Sequence, residues 1–151
     1  MLNRIFPEHM DNHYRGNKLA HWFFVPITFM KIMISLVHIF YVDGGAQSIS
    51  TIPLDTYPAG AAQNVIALFA RIGLDQFLIG LIFVIVLFRY RAMIPLMYIL
   101  IMLHYIAKEG IISMKPLDLV STSGASTPHL ILLILSMSGL ILSLTGKGYK
   151  D

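Results

Sequence analysis

The sequence predicts an all-α fold: an integral membrane four-helix bundle, up-down-up-down, with both termini cytoplasmic. Three observations carry that expectation. Hydrophobic residues make up 56% of the 151 residues and charged ones only 13%, and mean hydropathy is +0.72. A water-facing domain carries about 25% charged residues, so most of the apolar surface has to meet lipid. The apolar residues also fall into four runs, each close to the roughly 20 residues that cross a hydrocarbon core. The third observation is the placement of charge. Arg4, Arg15, Lys18, Arg89, Arg91, Lys147 and Lys150 would share one side, against Lys108 and Lys115 beside Asp43, Asp55, Glu109 and Asp118 on the other. The positive-inside rule puts the first set in the cytoplasm. Trp22 and Tyr90 then mark the inner interface, and Tyr41 and Tyr105 the outer one.

Residues 1–18 read as a polar cytoplasmic segment broken by Pro7 and Gly16. Glu8 and Asp11 spoil a positively charged leader, and the apolar run after them exceeds the roughly 7–15 residues of a signal core. Residues 19–146 form one domain of four transmembrane helices. The first covers about 19–42, with Pro26 near its start. The stretch DGGAQSISTIPLDTYPAGAA is loop by composition, and longer than a plain connector needs. The second helix covers about 62–88 and ends at Arg89-Tyr90-Arg91, a turn so short that the next helix should return antiparallel beside it. The third covers about 92–112, with Pro95 in its first turn, where proline does least harm. After the loop SMKPLDLVSTSGASTP, the fourth covers about 128–146 and carries no charge; residues 147–151 are a cytoplasmic tail. In the fourth helix Ser136, Gly139 and Ser143 form a small-residue face for close helix packing, inside the bundle or against a membrane-protein partner or second copy.

Several chemistries are excluded at once. The chain has no cysteine, hence no disulfide, thiolate metal site, iron–sulfur ligation or cysteine nucleophile. It has no phosphate loop, HExxH, GxSxG or EF-hand pattern, no metal site is expected, and no soluble domain is present to bind nucleic acid.

The informative residues are polar ones at membrane depth: Lys31 and His38 in the first helix, Arg71, Asp75 and Gln76 in the second, His104, Lys108 and Glu109 in the third. An ionised group at mid-helix costs at least about 2.5–3.5 kcal/mol, so such groups normally face a bundle interior and find partners. Arg71 and Asp75 are in i,i+4 register, as are His104 and Lys108. Counting the helical rise places Lys31, Asp75 and His104 near the midplane and Arg71, Lys108, His38 and Glu109 roughly 6–11 Å further out. The expectation is that Arg71 and Asp75 converge with His104 or Glu109 between the first three helices. The cluster then either holds the bundle together as ion pairs or forms a ligand pocket opening toward the outer loops. A b-type haem between His38 and His104 is a third reading, at depths about 7 Å apart; no cofactor is predicted outright. A through-going proton path is disfavoured, because nothing titratable continues from Lys31 to the inner face. His129, His9, His13 and His21 fall at or outside the interfaces, as ordinary surface histidines.

Residues 64–116, with Gly73 and Gly80 in the second helix, a short basic turn, and a third helix ending in a charged cluster before Lys-Pro, resemble the middle of the DoxX-like small four-helix membrane proteins. That resemblance implies a multi-pass protein of the bacterial inner membrane. Members include subunits of quinone-linked redox systems and many proteins with no assigned activity, so a link to quinones is one expectation the resemblance implies. It carries over no catalytic residue. The alternative reading of the residues is a non-catalytic accessory or interaction subunit of a membrane complex, in which the polar cluster is purely structural.

Overall fold

In the computed structural model, residues 2–145 are described. They form helices α1 (Leu2–Ile5), α2 (Lys18–Phe40), α3 (Ala59–Phe88), α4 (Ile94–Met114) and α5 (Ser126–Thr145), with single 3₁₀ turns at Leu54–Thr56 and Arg91–Met93 and no strand among the described residues. The four long helices are each long and apolar enough to cross a membrane. Their bounds fall within a few residues of those expected. Lys147 and Lys150, two of the basic residues used for orientation, lie outside the described residues.

Local chemistry sets the helix ends. Asn17 caps α2 by accepting the Leu19 N–H at 2.9 Å, one of the donors a helix start leaves without a partner. Pro58, which has no N–H to satisfy, precedes α3, and Pro95 sits in the first turn of α4.

α2 is the hub. It packs along α3 on one side and α5 on another, and α4 packs on α5. The short Arg89-Tyr90-Arg91 turn predicts α4 beside α3. Instead the two helices touch little, because α4 leans onto α5. Glycines explain both close approaches. A side chain at Gly73 would meet Ser35 and His38, and one at Gly80 would meet Ile32 and Lys31, so α3 lies against α2 in antiparallel register. Gly139 does the same for Tyr98, whose ring atoms stand 2.3–2.5 Å from where a Cβ would be.

The core is built around that tyrosine. Its ring meets Phe24 at 5.6 Å, Phe24 meets Phe83 at 5.4 Å, and its hydroxyl donates to the Ala20 carbonyl at 2.5 Å. Ile27, Val86, Ile94, Met97 and Ile101 fill the space around them. Ser136 and Ser143 are buried in the same region, each returning its hydroxyl to its own helix at Leu132 and Leu140, both at 2.7 Å. The small-residue face of α5 is therefore used inside this chain, with no room left on it for a partner helix.

The two ends are both closed by loops. At the end where α2 begins, Arg4 donates to the Leu144 carbonyl, Asn17 N–H to Leu142 and Ala92 N–H to Asp11, so the N-terminal segment clasps the helix ends. Asp11 pairs with Arg15 at 2.5 Å, and that guanidinium holds its carboxyl below the usual range. At the far end, residues 41–58 fold into a cap. Asp43 accepts from Gly45, Gln47 and Ser48, and Gly44 and Gly45 take the φ values of +60° and +77° that glycine adopts without strain. Ala46, Ile52 and Leu54 are buried beneath the cap against Val65, Ile66, Phe69 and Leu119. Backbone bonds from Val120 to Thr51 and from Gly124 to Ile49 tie it to the α4–α5 loop.

Candidate functional site

Toward the cap, three helices bring basic side chains within electrostatic reach of one another; Lys31, His38, Lys108 and His129 are half-buried and His104 is exposed. On α2, Lys31, Ser35 and His38 recur at i, i+4 and i+7, which sets them on one face, the face that Gly73 and Gly80 approach. Both Lys31 and His38 are half-buried. The Nδ1 of His38 lies 2.6 Å from the Gly44 carbonyl of the cap, and its ring stands edge-on to Phe69 at 5.5 Å. On α4, His104 and Lys108 follow one turn apart. On α5, His129 sits in the first turn.

The tightest contact of the group joins Lys108 Nζ to His129 Nδ1 at 2.7 Å. With the lysine charged, Nζ donates and the imidazole proton rests on Nε2. Tyr105 packs between the two histidines, 5.7 Å from the His104 ring and 5.6 Å from the His129 ring. Lys31, His104, Lys108 and His129 all lie within electrostatic reach of one another, and His38 reaches His129. Counter-charge is scarce. Glu109 acts on Lys108 but is exposed and forms no ion pair; the one salt bridge among the described residues is Arg15–Asp11, at the opposite end.

Arg71 and Asp75 do not join this group. Each lies two residues from Gly73, and at 3.6 residues per turn both point about 160° away from it. Both are exposed and no ion pair links them to each other. The expected convergence of these two with His104 or Glu109 is therefore replaced by two separate sets, one shared by α2, α4 and α5 and one on the outside of α3. Gln76 is half-buried, nearer the α2 side of the helix.

His129 is the member that sequence reasoning missed. Expected as an ordinary surface histidine at or outside the interface, it enters because α5 starts at Ser126, which puts His129 in the first turn of the helix and beside Lys108. His38 and His104, the candidate haem ligands, are not joined by any contact among the described residues, and His38 spends Nδ1 on the cap. No group of three or more His, Asp or Glu side chains placed to hold a metal occurs among the described residues. An open pocket of about 380 Å³ lies at the other end of the helices, lined by His13, Tyr14, Lys18, His21, Trp22 and Arg91 among others.

No family model matches the chain, and neither a curated protein nor a solved structure matches it.

Proposed function

We propose that the chain is a multi-pass membrane protein, its four long helices running up-down-up-down with both termini cytoplasmic, that binds a small or lipid-like ligand bearing an anionic head. The ligand sits among Lys31, His38, His104, Lys108 and His129. The observation that carries this reading is the Lys108–His129 contact at 2.7 Å, with Lys31 and His104 close by and no carboxylate paired to either lysine.

Buried structural charges come in opposite-sign pairs, because an unpaired charge keeps its desolvation cost. Like charges gathered at low dielectric repel more strongly than in water. A set of this kind is favourable once an anion enters, and the ligand's head then supplies what the chain omits. Lys108 and Lys31 would neutralise the head, His104 and His129 would donate to its oxygens, and the apolar faces of α2 and α4 would take a tail. A quinone, whose carbonyl oxygens also accept hydrogen bonds, is the uncharged ligand of the same shape. The DoxX-like resemblance of residues 64–116 agrees with that membrane setting, a bacterial inner membrane.

Binding of dodecanoate, dodecanol and a short-chain quinone to the protein in lipid nanodiscs tests this. Dodecanoate should bind, and Lys108→Gln should weaken it about tenfold, which corresponds to roughly 1.4 kcal/mol. Equal binding of dodecanol would overturn the reading, and preference for the quinone would replace the anionic head with a carbonyl.

A further inference from the structure

The outward face of α3 has no partner among the described residues. Leu68, Arg71, Asp75, Leu78, Ile82 and Ile85 recur at intervals of three and four, so they form one stripe down the helix. The four apolar members are each at least 51% exposed, and both charged ones are exposed as well. In a chain that crosses a membrane, an inference taken over from the proposed function, this stripe faces lipid. Leucine and isoleucine suit lipid. An arginine and an aspartate in the middle of a 30-residue apolar helix do not, and such groups turn toward protein or water.

We propose that this face is the contact surface between two copies of the chain, packed as parallel helices about an axis normal to the membrane. Arg71 of each copy pairs with Asp75 of the other. The face is self-complementary, which points to a second copy rather than another protein. It carries one charge of each sign, a turn apart. Two parallel copies bring equal levels together, and the offset from Arg71 to Asp75 is about 6 Å along the axis, within the span of an arginine side chain. Two crossed pairs then neutralise all four charges at once, and the guanidinium–carboxylate geometry suits close bidentate contact. One polar layer in an apolar seam with intervals of three and four also fixes the register of the two helices. The other candidate face, the small residues of α5, is already used inside the chain.

The absence of cysteine makes the test direct. Single cysteines at Leu78→Cys and Ile82→Cys on the stripe, and at Met33→Cys and Met137→Cys on the exposed sides of α2 and α5, are oxidised in native membranes. The first two should give a band of twice the chain mass, about tenfold stronger than the second two. Asp75→Arg should remove that band by repulsion. Co-expression of the Asp75→Arg chain with an Arg71→Asp chain should restore it, since one face is then wholly basic and the other wholly acidic. Should Asp75→Arg fail to accumulate, Asp75→Asn takes its place, and a crosslink that survives it overturns the proposal. Equal crosslinking at all four positions, no restoration by the complementary chains, or an adduct of another mass would overturn it too. Retention in the membrane after carbonate washing checks the membrane reading separately.

Discussion

Lys31 on α2 and Arg71 on α3 are both cations on apolar helices, yet they end in opposite environments. Lys31 is half-buried in a group with Lys108, His104 and His129. Arg71 stands on the exposed side of its helix with Asp75. What separates them is the glycine pattern. Gly73 and Gly80 let α3 press one face against α2, and whatever lies two residues from Gly73 is turned about 160° away. Charge alone does not decide which way a residue faces. The side on which backbones can approach closely decides it, and the charges take what is left.

Filling the packing face of α3 should have the largest effect. Gly73→Leu would drive its side chain into His38 Cβ, 2.7 Å from the position of a Cβ, and the Ser35 carbonyl, where neither helix can give way. It should cost about 3 kcal/mol or more, measured by unfolding in mixed micelles. Asp75→Leu, two residues on, should leave the stability of the single chain within about 0.5 kcal/mol, measured in micelles dilute enough to separate two copies. Equal losses at the two positions would mean that both faces of α3 are packed.

The cap gives the next effect. Burial alone would raise the Asp43 carboxyl, but hydrogen bonds from Ser48, Gly45 and Gln47 hold it below the usual carboxylate range. Its folded value is thus the lower one, so its contribution is complete above the unfolded value and drains away as pH falls through the folded value. Asp43→Asn keeps one acceptor oxygen and should cost about 1–2 kcal/mol near neutral pH. The difference between the two proteins should shrink in acid, and a gap that widens there would contradict the assignment. Removing the cap's anchor should also loosen His38, which rests on Gly44.

Much of this arrangement is legible in the sequence. The four apolar runs, the small-residue face of α5 and the likeness in depth of Lys31 and His104 all follow from hydropathy and helical rise. Arg71 and Asp75 were readable too, since both flank Gly73, but the cost of charge in lipid suggests an interior partner and hides the glycine periodicity. His129 was not readable. Its contact with Lys108 depends on where α5 starts and on how α4 leans, and neither is a local property. The cap was hidden for a similar reason, because Ala46, Ile52 and Leu54 look like sparse loop residues until α3 and Leu119 close over them.

The smallest effect belongs at the opposite end. Asp11 and Arg15 form a half-exposed pair in a segment that backbone bonds and the Arg4 side chain also hold, and such pairs contribute little. Asp11→Asn should leave the melting temperature unchanged, and a clear loss would show that the N-terminal clasp depends on this ion pair.

Lys31→Met tests most directly whether the gathered basic side chains form a binding site rather than a strut. Its charged neighbours are basic, so removing its charge should relieve repulsion. The ligand-free protein should melt a few degrees higher, corresponding to roughly 1 kcal/mol, while dodecanoate binding is lost. A lower melting temperature with dodecanoate binding unchanged would contradict the account, because Lys31 would then be holding the helices together.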